Sequence, residues 1–147
     1  VIAEWCGDNP LVAPEEIDRL VDFFEKALQA GNNIIDRLYA FNFASKMGNG
    51  YPDGFGAEIL SRILLEKLAN LDHELASREH VTKYIWGHPD QFMIRTFPAP
   101  KEIAFPSVKL DVDTQEDLDK IRYLCVGLDK ESSAQKIINT YEKEFGL

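Results

Sequence analysis

Apolar positions recur along this chain with two periods. Ile17, Leu20, Val21, Phe24 and Leu28 return at helical spacing, which predicts a helix from Pro14 to about Ala30. Pro14 suits its first turn, Glu15 and Glu16 suit the positive end of its dipole, and Gly31 ends it. Ile63, Leu64, Leu68 and Leu71 predict a second helix, capped by Ser61 and running to about Asn70. A third, capped by Ser77, carries Arg78, Glu79, His80, Val81, Tyr84 and Ile85. Thr114 reads as the cap of a fourth, with Asp117 as its capping-box partner and Leu118, Ile121, Leu124 and Cys125 on its stripe. A last helix spans roughly Ser132 to Phe145.

Between the helices lie short runs that read as strands. They are Val1 to Ala3, taken as central, Gly56 to Leu60, Gln91 to Phe97, and Val108 onward through Val112. Asn32 to Tyr39 is ambiguous, with a short strand near Ile34–Ile35 as one reading. Phe41 to Phe55 is irregular, rich in glycine and aromatics, and its glycines match no phosphate-loop or dinucleotide fingerprint. Helices between strands in one domain over 1–147 predict an α/β fold of three layers around a parallel or mixed sheet.

Composition narrows the function classes. The net charge of −9 over 147 residues, with no basic run, argues against a nucleic-acid partner. There is no long apolar run for a membrane. Cys6 and Cys125 are too few for a disulfide framework or a zinc site, and reduced thiols fit the cytoplasm.

The chemistry concentrates where the predicted last strand meets its helix. Asp111 and Asp113 are two apart, so in a strand their carboxylates share a side. Two such charges favour a bound hard cation, Mg²⁺ among them, or a raised pKa; Asp is also simply common where helices start. Asp8, after the first strand and Gly7, reads as a similar strand-end acid or as an Asx turn. Arg78, Glu79 and His80 read as a surface ion pair or as a grip on a carboxylate or phosphate.

Four pieces in order, CGDNPLVAPEEIDRLV, YPDGFGAEIL, SREHVTKYI and KLDVDTQEDLDKIR, resemble the cytidylyltransferases of the spore coat polysaccharide biosynthesis protein F family. These are similar to the acylneuraminate cytidylyltransferases. The chain departs from the family patterns at Asn9, Lys83 and Gln115, none of which removes an acid. The resemblance implies a Rossmann-like nucleotide-diphospho-sugar transferase fold and transfer of CMP from CTP to an acidic or amino sugar, with release of pyrophosphate. It implies Asp8 and Asp113 as catalytic residues, and Mg²⁺ on Asp8, Asp113 and, as third ligand or neighbour, Asp111. Arg78 and His80 would face the sugar, and Asp53 and Glu58 would shape its pocket unless they only line a solvated loop. The family's glycine-, arginine- and lysine-bearing CTP-phosphate loop has no counterpart here. The resemblance is therefore to the C-terminal half, and the alternative is a non-catalytic remnant that dimerises or binds a partner. It also implies a homodimer through Phe41 to Phe97, a segment rich in aromatics.

Overall fold

A computed structural model describes residues 1–44, 47–71 and 80–147. The strands are β1 (Ile2–Glu4), β2 (Leu38–Phe41), β3 (Glu58–Leu60) and β4 (Met93–Arg95). The helices are α1 (Pro14–Ala30), α2 (Arg62–Leu71), α3 (Lys83–Gly87), α4 (Gln115–Cys125) and α5 (Ala134–Phe145). The strands form a mixed sheet in the order β1-β3-β2-β4. β3 pairs antiparallel with both β1 and β2, while β4 runs parallel to β2.

Alternation along the strands builds the layers. Leu38, Ala40 and Ile59 face α1 and pack on Leu20 and Phe24. Tyr39, Phe41 and Leu60 face the opposite way, onto Leu64 and Leu68 of α2 and Ile85 of α3. All four residues of β2 are fully buried, which marks it as interior to the sheet. A third cluster joins Val108 and Leu110 to Ile121 and Leu124 of α4, Ile137, Ile138 and Tyr141 of α5, and Tyr51 and Phe55.

The predicted helix at Pro14–Ala30 forms with those bounds. Several other expectations need correction. Among the described residues β1 is an edge strand, pairing only with β3. No strand forms at Ile34–Ile35, because the Ile34 carbonyl takes the amides of both Arg37 and Leu38 and closes a turn. The β4 ladder is shorter than Gln91–Phe97, since a 3₁₀ turn occupies Pro89–Gln91. The predicted cap at Ser77 lies outside the described residues, and α3 begins only at Lys83, after Thr82.

The run from Val108 to Val112 is not a strand of the sheet. It is an extended segment held by two separate loops. The Asp53 amide donates to Val108 and the Leu110 amide to Asp53, both at 3.0 Å; the Val112 amide then donates to Asp8 at 2.9 Å. Gly54 makes this possible. Its φ is +86°, and a Cβ there would lie 2.5 Å from the Asp111 nitrogen.

Candidate functional site

That stitching builds the first half of the site. Pairing with Asp53 and then with Asp8 brings three acid-bearing segments to one place, although they are far apart in sequence. Lys109 stands among the acids. Its ammonium is 2.9 Å from Asp113, 3.0 Å from Asp117 and 3.6 Å from Asp111. Asp113 and Asp117 hold the Lys109 ammonium well above the usual lysine range. Asp117 also accepts from the amide and hydroxyl of Thr114 while its own amide donates to the Thr114 hydroxyl, completing the capping box expected for α4. Lys109 and then Thr114 pull the Asp117 carboxyl down to about 2.

Asp111 differs from its neighbours. Its Oδ1 is buried with no hydrogen-bond partner among the described residues. Burial raises its pKa, and the nearby charges of Asp53 and Asp113 push the same way. Such an oxygen is costly unless something donates to it or coordinates it. Among the described residues, no three His, Cys, Asp or Glu side chains converge as a metal-binding group. The cation these carboxylates face here is the Lys109 ammonium, and the donor set is hard oxygen, which suits an ion such as Mg²⁺.

The second half is a cleft of about 440 Å³ on the α2–α3 side of the sheet, walled by Trp5, Phe43 and Trp86. Glu58 lines it. One carboxylate oxygen of Glu58 accepts from the Tyr39 hydroxyl at 2.5 Å and from Thr82 Oγ1 at 2.9 Å. Burial raises the Glu58 pKa against the lowering effect of these two donors. Cys6 lines the same cleft, its thiol pushed up by burial and by the charges of Asp8 and Glu58, so the acid cluster and the cleft adjoin.

The structure thus divides the candidate residues. Asp8, Asp53, Asp111 and Asp113 gather around the Val108–Val112 segment. Asp53 belongs to this acid group, with its Oδ1 bound to the Gly54 amide, and is not a wall of the cleft. Glu58 and His80 are on the cleft. Arg78 lies outside the described residues. Sequence reasoning missed Lys109, although the alternation that put Asp111 and Asp113 on one side puts Lys109 there too. It also missed Trp5, Thr82 and Trp86 as parts of one cleft, and Tyr39 as a donor to Glu58, because nothing local links them.

The aromatics from Phe41 to Phe97 are mostly interior to this one chain. Phe41, Tyr51, Phe55 and Phe92 are buried, and Trp86, on the cleft, is exposed.

No family model matches the sequence. The chain is 30% identical over 125 residues to the spore coat polysaccharide biosynthesis protein SpsF of Bacillus subtilis, covering 84% of this chain and 46% of that protein. It is also 30% identical over 117 residues to an uncharacterised protein of Methanocaldococcus jannaschii, covering 80% of this chain and 42% of that protein. In fold it is similar to a cytidylyltransferase from Leptospira borgpetersenii, with a TM-score of 0.78 and 26% identity over 97% of this chain and 56% of that one. The chain therefore spans about half the length of the relatives it matches.

Proposed function

The chain belongs to the cytidylyltransferase family that includes SpsF, and from that premise we propose that it forms the sugar-side and cation-side part of an enzyme of surface-polysaccharide synthesis. The reaction is attack of a sugar hydroxyl on the α-phosphorus of CTP. A sugar O–P bond forms, the bond to the β-phosphate oxygen breaks, pyrophosphate leaves, and the product is a CMP-activated sugar.

The observation that carries this reading is the buried Oδ1 of Asp111, without a partner among the described residues, at the junction of the loops bearing Asp8 and Asp53. Asp8, Asp111 and Asp113 would hold Mg²⁺, which would neutralise charge on the reacting phosphate. Lys109 keeps Asp111 and Asp113 oriented toward a shared positive charge, so the carboxylates need little reorganisation to meet another cation. The fixed backbone pairing of Asp53 and Asp8 supports this reading by setting the register of these acids, and the adjoining cleft would seat the sugar beside them.

The test is pyrophosphate release from CTP, with Mg²⁺ and a sugar acceptor, by the polypeptide that carries this chain. Asp113→Asn is expected to cost a hundredfold or more, an effect of the order seen when one preorganised charge-stabilising group is lost (roughly 10²–10³), with the melting temperature little changed. Release that is absent from the wild type, or indifferent to Asp113→Asn, would refute the assignment.

A further inference from the structure

Lys109 has a fixed backbone and a movable head. Its backbone is bridged to Asp53, between the Asp53 amide on the Val108 carbonyl and the Leu110 amide on the Asp53 carbonyl. Its side chain is 41% exposed, so the ammonium can swing toward water without disturbing that pairing.

The three carboxylates around the ammonium are held very differently. Asp117 Oδ2, at 3.0 Å, also accepts from the amides of Asp113 and Thr114 and from the Thr114 hydroxyl, so the start of α4 fixes it. Asp113 Oδ2, at 2.9 Å, belongs to a side chain that is 60% exposed. Among the described residues its carboxylate has no other donor or ion-pair partner. Asp111 meets the ammonium only at 3.6 Å and only through Oδ2, while its Oδ1 has no partner among the described residues.

Asp111 and Asp113 are also two of the acids proposed above to hold Mg²⁺. A divalent cation brought to them meets an ammonium already seated on Asp113, and at such range the two positive charges repel with little screening by salt. The Lys109–Asp113 pair is the one built to yield, because both side chains reach solvent and exposed ion pairs are weak. Asp117, anchored and off the metal set, is left to keep the displaced ammonium.

We propose that Lys109 is a resident counter-cation. It holds Asp113 and Asp111 in the metal-free protein, retreats to Asp117 when a divalent cation arrives, and by this competition weakens Mg²⁺ binding. It is a positioning residue that acts through the acids, and the inference rests on the reading that these acids hold Mg²⁺.

The experiment is a calorimetric titration with Mg²⁺, at neutral pH and fixed ionic strength, of the polypeptide that carries this chain. Lys109→Met should bind Mg²⁺ at least about tenfold tighter than the wild type, since competition and repulsion are both gone. Lys109→Arg keeps the charge and should stay within about threefold of the wild type. A residue that only supported the fold would not tighten binding when lost. A measurement on the wild type stands beside the variants. Acylation of the Lys109 amine, read by peptide mass, should be at least about threefold faster in saturating Mg²⁺, because two carboxylates have let it go. Lys67, paired with Asp36 at 3.0 Å, should react at an unchanged rate. Equal Mg²⁺ affinity in the wild type and Lys109→Met, binding lost from a natively folded Lys109→Met, or acylation of Lys109 indifferent to Mg²⁺ would overturn the counter-cation role and leave the acids a metal site. No Mg²⁺ binding by the wild type or by either natively folded variant would overturn that role and the cation-side reading together.

Discussion

Asp111 and Glu16 show two ways in which a carboxylate is taken out of water. Glu16 is only 2% exposed, yet it is well served. Its side chain accepts from the Tyr51 hydroxyl at 2.7 Å and from Arg19 at 3.1 Å, and its backbone carbonyl accepts from Asn42. The sequence reading treated Glu15 and Glu16 only as charges on the α1 dipole. In the structure Glu15 also accepts from the Ala134 amide at the start of α5. These long-range partners are invisible to local pattern, whereas the Thr114–Asp117 box spans three residues and could be read directly. Tyr51→Phe should cost about 1.5–3 kcal/mol, the range for a hydrogen bond to a charged group, read as a shift in the urea midpoint. Asp111 Oδ1 has no such service among the described residues. Because its folded pKa is raised, the stability it offers is fully present below the ordinary carboxylate range and is lost as pH rises through the elevated value. Asp111→Asn should therefore melt at a higher temperature than the wild type at pH 7, with the difference vanishing in acid. A lower melting temperature at pH 7 would mean that Oδ1 has a partner after all.

At the scale of elements, α4 depends on charge more than its neighbours do. Its first turn is tied to the preceding segment through the Asp117 carboxylate, which serves Thr114 and Lys109 together. The depressed Asp117 pKa gives the opposite sign to Asp111. Its contribution is present above the ordinary value of 3.8 and is lost as pH falls toward about 2. Amide exchange in the first turn of α4 should accelerate across that window, ahead of α1, whose N-cap is Ala13 and has no side-chain hydrogen bond to lose. Lys109→Met should loosen the same turn at pH 7, where three carboxylates are left facing one another, and have little effect near pH 2. The helix itself was legible because a capping box and a 3.6-residue period are both local signals. The strand expected before it was not a ladder strand, because its hydrogen bonds go to two loops that no sequence period identifies.

For the molecule as a whole, the net charge of −9 is distributed unevenly, with acids gathered at the Val108–Val112 segment and at the cleft floor. Any ligand that relieves them should stabilise the fold by linkage. Mg²⁺ at a hundred times its dissociation constant would add about 2.7 kcal/mol. A rise in melting temperature with Mg²⁺ that NaCl at matched ionic strength does not reproduce, and that Asp111→Asn removes, is the expected result. An equal rise with both salts would reduce the effect to general screening. The three-layer α/β architecture could be anticipated because helices and strands alternate in sequence. The strand order could not, because the antiparallel partners of β3 lie on both sides of it.

The clamp of Val112 on Asp8 also sets a timing. Its two partners are separated by roughly a hundred residues, so closing that contact carries the entropy of a long loop, and it gains little until the intervening sheet exists. The sheet, α1 and the α4–α5 pair can each form before the two ends meet. Asp8 is therefore expected to join Asp111 and Asp113 late in folding. A nascent or damaged chain would have no ready trap for divalent ions, and the protection of a single amide, that of Val112, would report when the molecule has finished.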